Sequence, residues 1–217
     1  MREEIIKRIE EEKLIAIVRG VSAEKCLSVA EALYNGGVRL VEITYDQKNP
    51  DSWIKTAEAI ETVAGEFEGR MFVGAGTVTS VELVELTAAH GGRYIISPDT
   101  NVDVIKKTRE LGLVSLPGAL TPSEIMTAHN AGADFVKLFP AGEMGVGYLK
   151  AIRAPISHVR LMAVGGINEK NAADFLKAGA AGLGVGGNLA KKAWIDAEEY
   201  EKLTEAAKEI IAAIKSV

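Results

Sequence analysis

The 217-residue sequence predicts a (β/α)8 barrel with an N-terminal helix before the first strand. Three observations lead there. Short apolar runs recur eight times, and the segments between them have helical periodicity. The repeat, 217 residues over eight runs or roughly 27 per unit, suits a compact βα unit. Composition agrees: 47% hydrophobic and 25% charged residues permit a sizeable core and exclude a disordered or fibrous chain. No linker, low-complexity tract or charge block interrupts the rhythm, so residues 1–217 read as a single barrel domain. A doubly wound open sheet is the alternative fold.

In order, MREEIIKRIEEEKL is a charged amphipathic helix without the apolar run of a signal peptide. The strand runs follow: LIAIVRG (14–20), LVEIT (40–44), MFVGAGT (71–77), YIISP (94–98), LVSLPG (113–118), FVKLFP (135–140), RLMAVGG (160–166) and LGVGG (183–187). Several are continuously apolar, as strands buried on both faces of a parallel sheet must be. Five intervening segments open with Ser, Thr or Asn placed to cap a helix: SAEKCLSVAEALYNGG, TSVELVELTAAHGG, NVDVIKKTRELG, TPSEIMTAHNAG and NEKNAADFLKAG. All five close with Gly, which suits a helix C-terminus.

Charge and special residues narrow the function. The net charge of −5 gives no field that favours nucleic acid. No apolar stretch approaches the roughly 20 residues of a membrane span, so a cytoplasmic location is expected. The single cysteine, Cys26, excludes an internal disulfide and reads as a small buried hydrophobe on a helix. His90, His129 and His158 are scattered and form no HExxH or HxH motif, so no metal is expected.

Barrels bind ligands where strands meet the following helices, so polar residues late in the runs carry the interest. Lys137 interrupts an apolar strand. Desolvated inside the barrel, it would present a neutral amine able to attack a ketone and form a Schiff base. A snorkelling lysine or a buried salt bridge reads equally well from spacing alone. Glu42, in LVEIT, suits a general acid/base with a raised pKa, or a structural ion pair with Arg19 or Lys137. The turns Val164-Gly165-Gly166-Ile167-Asn168 and Gly184-Val185-Gly186-Gly187-Asn188 follow the last two strands, where barrels often bind phosphate on backbone N–H groups. Neither matches GxGxxG or a P-loop, so no nucleotide cofactor is expected. Gly74-Ala75-Gly76-Thr77-Val78-Thr79 offers close backbone approach and a hydroxyl, or simply a helix cap.

These residues together resemble the 2-keto-3-deoxy-6-phosphogluconate (KDPG) aldolase family, class I aldolases that often also act on 4-hydroxy-2-oxoglutarate (KHG). The resemblance rests on VEIT with Glu42, GAGTVTS at 74–80, ISP at 96–98, LPG with TPSE at 116–124, KLFPA at 137–141 and GG at 165–166, in that order. It runs from about residue 13 to the C-terminal helix. It implies that Lys137 forms the Schiff base and that Glu42 shuttles protons. Thr77 with Gly76 would hold the pyruvate carboxylate, Arg19 would lie beside Glu42, and Pro98 and Phe139 would shape the wall. Gly165, Gly166, Gly186 and Gly187 would receive the distal phosphate. It further implies no cofactor, a phosphorylated keto acid and pyruvate as ligands, and a homotrimer.

Three positions depart from the family pattern. Val164 stands where many relatives have Thr, Gly187 where many have Ser, and Asp46 where some have Arg. The departures leave the imine chemistry intact and bear on substrate choice, with the 6-phosphogalactonate (KDPGal) aldolase as the nearest competing specificity. A phosphate-binding isomerase or synthase barrel would not need an imine-forming lysine. A non-catalytic sugar-phosphate-binding barrel would not need Lys137, Glu42 and Thr77 together.

Overall fold

The computed structural model describes residues 1–217, and in it the eight apolar runs become nine parallel strand segments. They are β1 (Leu14–Val18), β2 (Leu40–Thr44), β3 (Phe72–Gly76), β4 (Tyr94–Ile96), β5 (Val114–Leu116), β6 (Gly118–Ala119), β7 (Val136–Leu138), β8 (Leu161–Val164) and β9 (Gly182–Val185). Their order is β5-β4-β3-β2-β1-β9-β8-β7-β6. The ninth segment comes from Pro117, which has no N–H and so interrupts the ladder. β5 pairs with β4, and β6 pairs with β7. The two edges of the sheet are therefore adjacent stretches of one chain, and the sheet curls into a nearly closed barrel.

Helices precede, separate and follow the strands: α1 (Arg2–Glu12), α2 (Ala23–Asn35), α3 (Trp53–Glu66), α4 (Val81–Ala89), α5 (Val102–Glu110), α6 (Pro122–Asn130), α7 (Ala141–Arg153), α8 (Ala172–Lys177), α9 (Lys192–Asp196) and α10 (Tyr200–Lys215). Three of the five expected caps form. Ser80 accepts from the Leu83 N–H, Asn101 from those of Asp103 and Val104, and Thr121 makes a reciprocal capping box with Glu124. Ser22 occupies the cap position of α2 without a side-chain cap bond. The fifth start lies three residues later than expected, at Asn171, because Asn168 closes a local turn by accepting from the Lys170 N–H.

Two apolar layers flank the strands. Val41 and Ile43 of β2, with Val136 and Leu138 of β7, belong to the outer layer beneath the helices. Leu40, Ile15, Ile17, Tyr94, Phe135 and Met162 fill the barrel interior. Ile5, Ile6 and Ile9 of α1 join that inner layer, each nearly fully buried, so α1 plugs one end of the barrel. Burying each of these isoleucines contributes roughly 1.5–3 kcal/mol. Cys26 is buried on α2 as expected, and burial pushes its thiol up to about 12, so it is inert at neutral pH. No helix is long and apolar enough to cross a membrane.

Candidate active site

Strand alternation, hidden in the sequence because both faces are apolar, decides which side chains enter the barrel. In β2 the outer layer takes Val41 and Ile43, which turns Glu42 inward; in β7 it takes Val136 and Leu138, which turns Lys137 inward. Glu42 lies level with Ile17 and Gly74, and Lys137 with Gly118 and Met162. Glu42 is 1% exposed and Lys137 4% exposed, a degree of burial that charged residues rarely reach.

Above them opens a cavity of about 440 Å³ lined by Arg19, Thr77, Pro98, Lys137, Phe139, Gly165, Gly166, Gly186 and Gly187. Nine positions singled out from the sequence thus meet in one place. Glu42 and Gly76 sit immediately behind this wall. A β-carbon at Gly76 would overlap the Glu42 carboxyl group, so glycine there makes room for the acid. The Lys137 Nζ stands 5.1 Å from the centroid of the Phe139 ring.

The electrostatics are unusual. Both carboxyl oxygens of Glu42 are buried without a hydrogen-bond partner. Tyr94 lies close by, but its hydroxyl donates to the Val41 carbonyl at 2.5 Å. Burial raises the Glu42 pKa, against the pull of Lys137 and Arg19. Burial likewise lowers that of Lys137; Glu42 opposes this shift and the Arg19 charge reinforces it. Both shifts favour a neutral amine beside a neutral acid, and both groups keep their bonding capacity for something that enters the cavity.

The end of the cavity by β8 and β9 has a different character. Gly165 and Gly166 adopt left-handed angles (φ 89° and 73°) that a side chain would resist. Gly142 of α7 packs against them, and its N–H donates to the Gly165 carbonyl at 2.7 Å. The backbone N–H groups of Gly165, Gly166, Gly187 and Asn188 donate to no backbone carbonyl, leaving a cluster of free donors suited to an anion. Asn188 ties the two turns together by donating from Nδ2 to the Ile167 carbonyl at 2.8 Å. Val164 lines the wall without a donor.

Two features of the site are not legible in the sequence. Lys192, at the start of α9, lines the same cavity, and its ammonium meets the Asp196 carboxylate at 2.7 Å. The only signal for it is the basic pair Lys191-Lys192 shortly after the last Gly-rich turn. Arg19 also lines a second, polar cleft of about 580 Å³ that contains Asp46, Asn49 and Lys55. Asp46 therefore lies outside the main cavity. It closes a turn, accepting from the Lys48 N–H at 2.9 Å through its carboxylate and from the Trp53 indole at 2.9 Å through its carbonyl.

A parallel barrel whose cavity exposes a desolvated lysine, with an unpartnered acid directly behind its wall, defines an enzyme class, the aldolases that work through a lysine imine. Comparison with known proteins agrees. The model of the KDPG and KHG aldolase family matches residues 5–206. A 2-dehydro-3-deoxy-6-phosphogalactonate aldolase of Escherichia coli is 35% identical over 177 residues, 81% of this chain and 83% of that protein. A 2-dehydro-3-deoxy-phosphogluconate aldolase of Dickeya dadantii is 35% identical over 192 residues, 87% and 86% of the two chains. The solved KDPG aldolase of Legionella pneumophila, with pyruvate captured as a covalent carbinolamine, superposes with a TM-score of 0.82 at 27% identity, covering 92% of this chain and 94% of that one. The chain belongs to the KDPG and KHG aldolase family, and it is an aldolase.

Proposed function

We propose that this aldolase, acting as one domain over residues 1–217, reversibly cleaves 2-keto-3-deoxy-6-phosphogluconate to pyruvate and glyceraldehyde 3-phosphate. It would also accept 4-hydroxy-2-oxoglutarate. The observation that carries the reading is the buried pair Lys137 and Glu42, each without a structural partner that would account for its burial.

The neutral Lys137 amine adds to the C2 ketone, and the carbinolamine hydroxyl leaves as water with the proton of the Glu42 acid, giving a protonated imine and a Glu42 carboxylate. Glu42 takes the proton of the C4 hydroxyl, the C3–C4 bond breaks, and its electrons pass into the imine to form an enamine. The aldehyde leaves. Protonation at C3 and hydrolysis then release pyruvate and restore the lysine. Thr77 beside Gly76 receives the carboxylate. The free N–H groups of Gly165, Gly166 and Gly187, on the far side of the cavity, receive the phosphate. The relative captured as a pyruvate carbinolamine supports this chemistry.

A second reading differs only at C4. The Escherichia coli relative at 35% identity carries the galactonate name, and Val164 and Gly187 remove side-chain donors from the phosphate end. Action on 2-keto-3-deoxy-6-phosphogalactonate is therefore the alternative. A cytoplasmic homotrimer completes the proposal, with mass in solution measured by light scattering as its check.

The test has two arms. Pyruvate with borohydride should attach one reduced adduct to Lys137, located by peptide mass spectrometry; labelling elsewhere would refute the mechanism. Steady-state cleavage of the two phosphorylated epimers and of 4-hydroxy-2-oxoglutarate then ranks the substrates by kcat/KM.

A further inference from the structure

Thr77 is one of only three non-glycine residues with positive φ, at 58°. A β-branched side chain resists that region, so neighbouring groups must hold it there. The holding bonds can be traced. The peptide before Thr77 is fixed by the Tyr45 N–H, which donates to the Gly76 carbonyl at 3.0 Å. The peptide after it is fixed at both ends. Its N–H, from Val78, donates to the Ile96 carbonyl at 3.2 Å. Its carbonyl, from Thr77, accepts from the Gln47 Nε2 at 2.7 Å.

Gln47 grips the loop twice. Its Oε1 also accepts from the Thr79 hydroxyl at 3.0 Å, so one amide spans Thr77 and Thr79. The turn that carries Gln47 is itself pinned by the Asp46 and Trp53 bonds described above. What these bonds leave over is the Thr77 N–H, which donates to no backbone carbonyl, on a residue that lines the cavity.

We propose that Gln47 is a positioning residue for the keto-acid carboxylate. By holding the Thr77 carbonyl it keeps Thr77 left-handed, which aims the Thr77 N–H and hydroxyl at the carboxylate of pyruvate and of every 2-keto acid substrate. Gln47 touches neither Lys137 nor the distal phosphate end, so its effect is confined to the pyruvate half of the reaction. The inference rests on the reading that Thr77 receives that carboxylate.

Two variants test it in the condensation direction. Gln47→Met keeps length and removes both bonds; Gln47→Glu keeps the acceptor for Thr79 and removes the donor to Thr77. A net hydrogen bond of about 1 kcal/mol corresponds to a change of about fivefold. Both variants should therefore raise the KM for pyruvate about five- to tenfold, with the aldehyde KM and the kcat each moving less than about twofold. Unchanged pyruvate KM in either variant overturns the proposal. So does a parallel loss of kcat, both KM values and melting temperature, which is what general loosening of the loop would give. The wild-type borohydride arm separates the two ideas: failure to label Lys137 refutes the aldolase mechanism, whereas labelling with an unmoved pyruvate KM refutes only the role of Gln47.

Discussion

Gly187→Ser is the perturbation that most directly interrogates the phosphate end. The backbone there lies outside the left-handed region, and a β-carbon built on it meets nothing within 4 Å. A serine therefore fits without moving a neighbour. Its cost in conformational strain is negligible, and loss of glycine freedom in the unfolded chain should add about 0.4–1 kcal/mol of stability. The new hydroxyl joins the N–H groups of Gly165, Gly166 and Asn188 around the same end of the cavity. A hydrogen bond to a charged group contributes roughly 1.5–3 kcal/mol, or about tenfold to a hundredfold. Gly187 is exposed, so the lower figure is the one expected. The assay compares kcat/KM for the phosphorylated substrate with that for 4-hydroxy-2-oxoglutarate, which has no phosphate. A gain near tenfold for the first and none for the second is the expected outcome. Equal gains, or none, would refute the assignment of this turn to the phosphate.

Lys137→Arg keeps the charge but cannot readily form the imine; it should lose both activity and borohydride labelling, and retained turnover would exclude the mechanism. Glu42→Gln should lower kcat by about 10²–10⁴-fold. Because burial raises the Glu42 pKa, the acid form's contribution to stability is whole below the unfolded value of 4.5 and is lost as pH rises through the higher folded value. The glutamine variant escapes that loss, so its melting temperature relative to wild type should climb above pH 4.5, which a pH series of thermal melts would read. Lys192→Ala should raise the KM for phosphorylated substrates only, by less than about fivefold given that its side chain is 64% exposed, and the effect should shrink with salt.

Much of this molecule is written in local pattern. The eight apolar runs, their helical spacers and the capping residues Ser80, Asn101 and Thr121 depend on short-range physics, and each appears close to where the pattern puts it. Lys137 and Glu42 were conspicuous because charge inside an apolar strand demands a reason. The ninth strand segment was less visible: Pro117 is plain in the sequence, but that its two flanks pair with opposite edges of the sheet follows only from closure of the barrel.

The choice among the roles of Lys137 and Glu42 needed three dimensions. Catalysis and a structural ion pair ask for the same residue types at the same spacing. What separates them is that the carboxyl oxygens of Glu42 are buried and unbonded while Lys137 opens onto a cavity, and both facts are sums over strands far apart in the chain. Gln47 and Lys192 lay beyond sequence reasoning for the same reason. An exposed glutamine in a polar turn carries no local signal, and its meaning comes from a strained threonine thirty residues away. Residues near in sequence set strands and helices, because hydrogen-bonding and side-chain periodicity act over a few residues. The site is set by barrel closure, which brings loops after β1, β3, β4, β7, β8 and β9 to one mouth, and no single segment records that meeting.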